Sequence, residues 1–163
     1  MLKKILTLIT SSFNRKEVIL NENGEPHIIR YIVWGRKSDR NKQHHGRGLY
    51  LQKIVTSDSS KDLYDHPWRW GRLTLWGQFK EQVQNKASVI TREKTVHPLK
   101  LTPLVSSRFA HAIELVDNKP IWMLFWHGRA RNQWGFWMGN KKVNWREYFE
   151  ISNQHKSAHD SLK

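Results

Sequence analysis

The stretch "DLYDHPWRWGRLTLWGQFKE", residues 62–81, decides how this chain is read. Its first half sets His66 directly before Pro67, with Asp65 on the other side and Trp68 and Trp70 close behind. A proline holds the residue before it out of the helical region, so His66 is predicted to be extended. The second half alternates with the period of a β-strand. Taken as one regular strand, Leu73, Leu75, Gly77, Phe79 and Glu81 share one side. Arg72, Thr74, Gln78 and Lys80 share the other with Trp76. The apolar side is expected to face inward, and it carries Glu81 with it. A buried carboxylate is costly unless it is paired, hydrogen-bonded or bound to metal.

Working outward, segments of the same kind recur. They are "HIIRYIVW" (27–34), "LYLQKIVTS" (49–57), "ASVITRE" (87–93), "KLTPLVS" (100–106), "HAIELVD" (111–117) and "PIWMLFWHG" (120–128). Turn signals separate them, among them "NENG" (21–24) and "SDSSKD" (57–62), and the tight "VDNKP" (116–120) reads as a hairpin. Short strands at this spacing, with no helices between them, predict an antiparallel sandwich or barrel. "NWREYFEI" (144–151) reads as a short closing helix capped by Asn144. At the other end Leu2, Ile5, Leu6 and Ile9 recur at helical spacing, predicting a short amphipathic helix. "IWMLFW" is apolar on both faces, and that helix is the natural cover for its outer side.

The chain has 163 residues, enough for one domain and its core, which is expected over residues 1–151 with a flexible polar tail at 152–163. It contains no Cys, so disulfides and thiolate metal sites are excluded, which fits a cytoplasmic protein. The apolar run Ile5–Thr10 is too short for a signal-peptide core, and no stretch approaches the length of a transmembrane segment. The net charge of +14 implies attraction to phosphates or other anions. Its densest part is the loop at 35–48, where Arg36, Lys37, Arg40, Lys42 and Arg47 stand against Asp39 alone. A solvated basic loop would show the same composition.

His111 shares its predicted face with Ile113 and Leu115, so an inward His joins the inward Glu81. With His66 they form a His, Glu, His set, the ligand types of non-haem Fe or Zn. Each residue also has a plainer reading. His66 could hydrogen-bond a carbonyl, Glu81 could pair with a neighbouring Lys or with Arg92, and His111 could be a satisfied core histidine. His127 shares a face with Ile121, Met123 and Phe125 and is a further pocket candidate. In "RNQWGFWMG" (131–139) the aromatics stand at strand spacing, which favours core over base stacking.

"SDSSKDLYDHPWRWGRLTLWGQFKE", then "FAHAIEL", then "PIWMLFWHGRARNQWGFW" resembles a group of small cupin-like proteins found mostly in tailed phages and bacteria. These carry His-Asp-His-Pro-Trp, a Gly-Gly-Tyr-x-Glu-like strand end, a later His and a Trp-Gly-Phe-Trp segment. The resemblance covers roughly residues 48–147. It implies an all-β fold, a cupin jelly-roll barrel (double-stranded β-helix) between the two short helices. It further implies a divalent metal (Fe, Zn, Mn or Ni) held by His66, Glu81 and His111, a homodimer as an option, and a host cytoplasm if phage-encoded. The departures bear on the ligands. Tyr64 stands where the pattern has its first histidine, as a weaker fourth ligand. Gln52 stands where a histidine often ends the preceding strand, and Trp70 stands where cupins place a glutamate.

Three functions follow. One is a metal-dependent, dioxygenase-like enzyme acting on a small molecule. Another is a metal-free cupin binding an anionic ligand such as a nucleotide, through Tyr64, Trp68, Trp70, Arg72, Arg108 and His127. The third is a basic nucleic-acid-binding or assembly protein that uses the barrel as scaffold and Arg36, Lys37, Arg40, Lys42 and Arg47 as contacts.

Overall fold

The structure is a computed structural model that describes residues 15–21, 23–35, 46–58, 62–84 and 91–151. The expected N-terminal helix, residues 36–45 of the basic loop and the tail at 152–163 lie outside the described residues. Among these residues, twelve strands form two six-stranded sheets in which every pairing is antiparallel. One sheet runs in the order β1 (Lys16–Leu20), β2 (Pro26–Trp34), β3 (Gly48–Ile54), β10 (Ile121–Ala130), β5 (Trp68–Trp76) and β8 (Leu101–Val105). The other runs β12 (Lys141–Asn144), β11 (Gly135–Met138), β4 (Leu63–Tyr64), β9 (His111–Leu115), β6 (Phe79–Gln84) and β7 (Thr91–Val96). Strands distant in sequence lie side by side, as in a jelly-roll barrel. A short helix, residues 145–151, closes the described chain, and Asn144 Oδ1 caps it by accepting the Arg146 amide at 3.0 Å.

Alternating side chains from both inner faces fill the barrel. Ile54, Phe79, Val96, Ile113, Leu115, Ile121 and Met123 make an apolar floor. Towards the opposite end, Ile32, Tyr50, Trp70 and Phe125 form a second cluster, with Trp68, Val105 and Phe109 against it. β10 is buried on both faces, because Trp122 on its outer side is only 3% exposed and packs with Leu51, Tyr31 and Leu75.

Residues 72–81 are not one strand. β5 ends at Trp76, Gly77 adopts φ +80°, and the chain crosses to the second sheet before β6 begins at Phe79. A Cβ on Gly77 would lie 2.8 Å from the Ile121 side chain, so this crossing needs a glycine on both counts. The alternation restarts there. On β5 the buried residues are Trp70, Arg72 and Thr74, while Leu73 and Leu75 turn to the outer face; on β6 Phe79, Glu81 and Val83 face in.

The predicted hairpin at 116–120 is also corrected. β9 and β10 belong to different sheets, joined by a 3-10 turn at Val116–Asn118 with Asp117 and Asn118 at positive φ. β1, an edge strand on β2, has a mixed charged and apolar sequence that gave no clear signal.

Candidate functional site

Asp65 anchors the corner that positions the site. It is fully buried, accepts the Gly135 amide at 3.0 Å and Trp137 Nε1 at 3.3 Å, and pairs with Lys142 Nζ at 2.7 Å. This ties the "DHPW" turn to β11 and β12 and accounts for the "WGFW" segment as a structural partner. The next residue, His66, is thereby delivered to the end of the barrel where β5 starts.

His66 Nε2 lies 3.0 Å from His111 Nε2. His111 Nδ1 lies 2.8 Å from Glu81 Oε1, and Glu81 Oε2 accepts from Arg72 at 2.6 Å and from Lys94 Nζ at 3.0 Å. A line His66–His111–Glu81–Arg72 therefore runs from the mouth into the barrel. The order of donors follows from charge. Burial alone would raise the Glu81 pKa; the hydrogen bond from His111 and then the charge of Arg72 outweigh it and hold the carboxyl well below its usual 4.5. An ionised Glu81 only accepts, so His111 Nδ1 carries a proton and donates it. One proton then lies between the two facing Nε2 atoms.

Aromatic rings enclose the pair. Trp70 stacks on His111 at 5.0 Å between centroids and meets His66 edge-on at 5.3 Å. Burial among these rings, and then the facing His111, hold the His66 pKa well below its usual 6.5, so the ring is neutral at pH 7. His127 is separate. Trp68 stacks on it at 4.1 Å, its Nδ1 donates to the Gly128 carbonyl at 2.8 Å, and its Nε2 accepts from the Tyr50 hydroxyl at 3.1 Å.

These two shifts set an acid limit. Both groups bind a proton less readily folded than unfolded, so the unfolded state gains protons as pH falls and stability is lost. The loss is expected to begin as pH drops through about 6.5, where an unfolded histidine titrates, and to steepen below about 4.5. Urea midpoints between pH 8 and 4 check this. A His66→Phe variant should lose the first phase and keep the second.

The residues do not complete the implied metal site. Two imidazole nitrogens 3.0 Å apart would subtend about 90° at an ion about 2.1 Å from each, the angle between octahedral neighbours and tighter than a tetrahedral site uses. Glu81, however, lies behind His111 with both oxygens engaged. Tyr64 pairs with His111 across β4 and β9, but its hydroxyl is engaged by Asp58; burial first, and then Asp58, push its pKa well up. Among the described residues, no group of three His, Asp or Glu side chains could hold a metal ion.

Of the other ligand candidates, Trp68 and Trp70 line the pair, Arg72 lies deep beneath it, and Arg108 is exposed on the β8–β9 turn. Arg47 is exposed at the start of β3, whereas Arg36, Lys37, Arg40 and Lys42 lie outside the described residues. Sequence reasoning missed Lys94, which meets Glu81 through the β6–β7 pairing, and Asp58, which reaches Tyr64 from the loop after β3 that is hydrogen-bonded to Ile113 of β9. Gln52 is not idle in place of a histidine: with its amide oxygen turned inward it accepts from Arg30 Nε at 2.9 Å.

One feature of β5 could not be read from sequence. Among the described residues, the buried side-chain polar atoms without a partner are Trp68 Nε1, Trp70 Nε1, Arg72 Nε and Thr74 Oγ1. All four side chains occupy alternate positions of one strand, on the face that includes Trp70, Arg72 and Thr74 in the barrel interior.

No protein-family model and no curated protein matches the sequence. Solved structures do resemble the fold. A cupin-2 domain protein from Rhodospirillum rubrum superposes with a TM-score of 0.52 at 12% identity, covering 85% of this chain and 81% of that one. The Fe(II) form of HppE in complex with substrate gives 0.52 at 9% identity, covering 69% of this chain and 55% of that one. Fe(II)-HppE with the alternative substrate (S)-1-HPP gives 0.50 at 8% identity over 71% of this chain. This chain thus spans little more than half the length of the HppE structures. The likeness is one of fold, and the fold is a cupin jelly roll.

Proposed function

We propose that this chain is a metal-free cupin-fold binding protein whose barrel takes a small oxyanion, a carboxylate or a phosphate, along the inner face of β5. The observation that carries the reading is the set of four unpaired polar atoms on Trp68, Trp70, Arg72 and Thr74. The two indole N–H groups and the guanidinium Nε–H can only donate, and the Thr74 hydroxyl can donate as well. Buried donors cost free energy unless an acceptor meets them, so an acceptor-rich ligand is the complementary partner. The net charge of +14 draws anions to it. The engagement of both Glu81 oxygens supports a site without metal, since it leaves two imidazoles where metal enzymes use three protein ligands.

Thermal unfolding in the presence of phosphate, sulfate and small mono- and dicarboxylates tests this, together with elemental analysis of untagged protein. The expected result is saturable stabilisation by one anion class, near 2.7 kcal/mol at about 100 times Kd, with no stoichiometric metal. Trp70→Phe, which keeps the ring and removes the N–H, should weaken that anion about tenfold. Near-stoichiometric metal that disappears in His66→Ala would overturn the metal-free reading. Absence of saturable stabilisation by any of these anions would overturn the oxyanion.

A further inference from the structure

The rim of the barrel carries a second feature that the β5 donors do not involve. An open cleft of about 780 Å³ is lined by Trp34, Gly46, Arg47, Arg129 and Ala130. Trp34 is 58% exposed, an unusual state for the largest apolar side chain. Backbone geometry holds it there. β2 alternates inward through Arg30 and Ile32, but a register shift between Ile32 and Trp34 breaks the alternation and leaves Val33 and Trp34 both exposed. Gly35 follows at φ +104°, so close to the Arg47 backbone that a Cβ would lie 2.7 Å from its carbonyl oxygen. The Trp34 backbone is thus held beside the point where β2 ends and β3 begins, with its indole exposed.

The charge around it is one-sided. Arg47 and Arg129 are exposed, and among the described residues no carboxylate lines the cleft and neither guanidinium forms an ion pair. Arg69 and Arg131 are likewise exposed and unpaired, close to the β5–β10 register pair Trp68–Ala130. A flat aromatic face flanked by free guanidiniums is the chemistry that receives an unpaired base and its neighbouring phosphates.

We propose that this cleft binds single-stranded nucleic acid, with a base stacked on Trp34 and backbone phosphates on Arg47 and Arg129. A duplex keeps its bases stacked on one another and offers Trp34 nothing, so selectivity for single strands separates this site from general attraction to a basic protein.

The test is fluorescence anisotropy of the full chain with labelled DNA and RNA single strands of about 12 nucleotides, a duplex of the same length, and heparin as competitor, from about 50 to 200 mM salt. Single strands are expected to bind at low salt and more tightly than the duplex. Trp34→Ala should weaken them about tenfold or more, and Trp34→Phe should restore most of that. Arg47→Ala and Arg129→Ala should each lower the slope of log K against log salt by about 0.7. Because Trp34 is exposed, its variants should keep the wild-type unfolding midpoint. No binding at low salt, equal affinity for duplex and single strand, or a Trp34→Ala variant that binds like wild type would overturn the proposal. The β5 variants leave this cleft intact, so failure here and failure of the oxyanion reading are read separately.

Discussion

Arg72→Met is expected to destabilise the protein by about 3–5 kcal/mol, the usual cost of removing one partner from a buried ion pair. The Arg72 side chain is 2% exposed and that of Glu81 fully buried, and they meet at 2.6 Å. Without the guanidinium, Glu81 keeps the His111 N–H and the half-exposed Lys94, neither of which replaces a buried cation. The guanidinium also lies over the rings of Trp70 and Phe79, at 5.3 and 4.9 Å from their centroids, and a methionine fills only part of that volume. For a domain of this size the loss corresponds to a fall in Tm of about 10 °C. The double variant Arg72→Met, Glu81→Gln should be less destabilised than the sum of the two single changes, because the stranded charge is then gone. Urea unfolding of the four proteins measures this. A loss under about 1 kcal/mol for Arg72→Met would show that Lys94 and His111 suffice to hold Glu81.

The second large effect is a gain. Tyr64→His is expected to supply the third metal ligand that the described residues do not provide. Tyr64 is in register with His111, and its ring lies 5.1 Å from the His111 ring and 5.6 Å from the His66 ring. A histidine there would add a third imidazole to the facing Nε2 pair, the number of protein ligands that holds an open metal site. The carboxylate already behind His111 would then orient a ligand, as outer-shell carboxylates do around metal-bound histidines. Affinity for Zn²⁺ or Co²⁺ should rise by about 100-fold or more, exceeding what an outer-shell partner contributes. Cobalt absorption and a metal-dependent rise in Tm would report it, and His66→Ala in the same background should abolish both. Unchanged metal affinity would mean that the third position is out of reach of the pair.

Which parts of the site could be read in the sequence depended on how local their causes are. The extended His66 follows from Pro67, and the inward His111 follows from the alternation of "HAIEL", which stays intact from His111 to Leu115. Arg72 was assigned to the wrong face by the same rule. The rule assumes one continuous strand, and Gly77 ends that continuity by turning the chain into the other sheet. Glu81 faces in because β6 starts afresh at Phe79, not because Leu73 and Leu75 do. A glycine within an alternating run is the one local signal that could have warned of it.

By itself, then, the sequence determined that this chain is an antiparallel β-barrel with an extended histidine just before one inner strand, a second histidine facing in, and a strong excess of positive charge. Periodicity, turn residues and composition act over a few residues each, so one chain suffices to read them. Only the tertiary structure decided which partner each inward polar group meets. Glu81 meets Arg72, Lys94 and His111, Tyr64 meets Asp58, and the donors of β5 are left open. Those outcomes depend on register between strands far apart in sequence, and a buried polar group is stabilised by whichever partner that register brings within hydrogen-bonding reach.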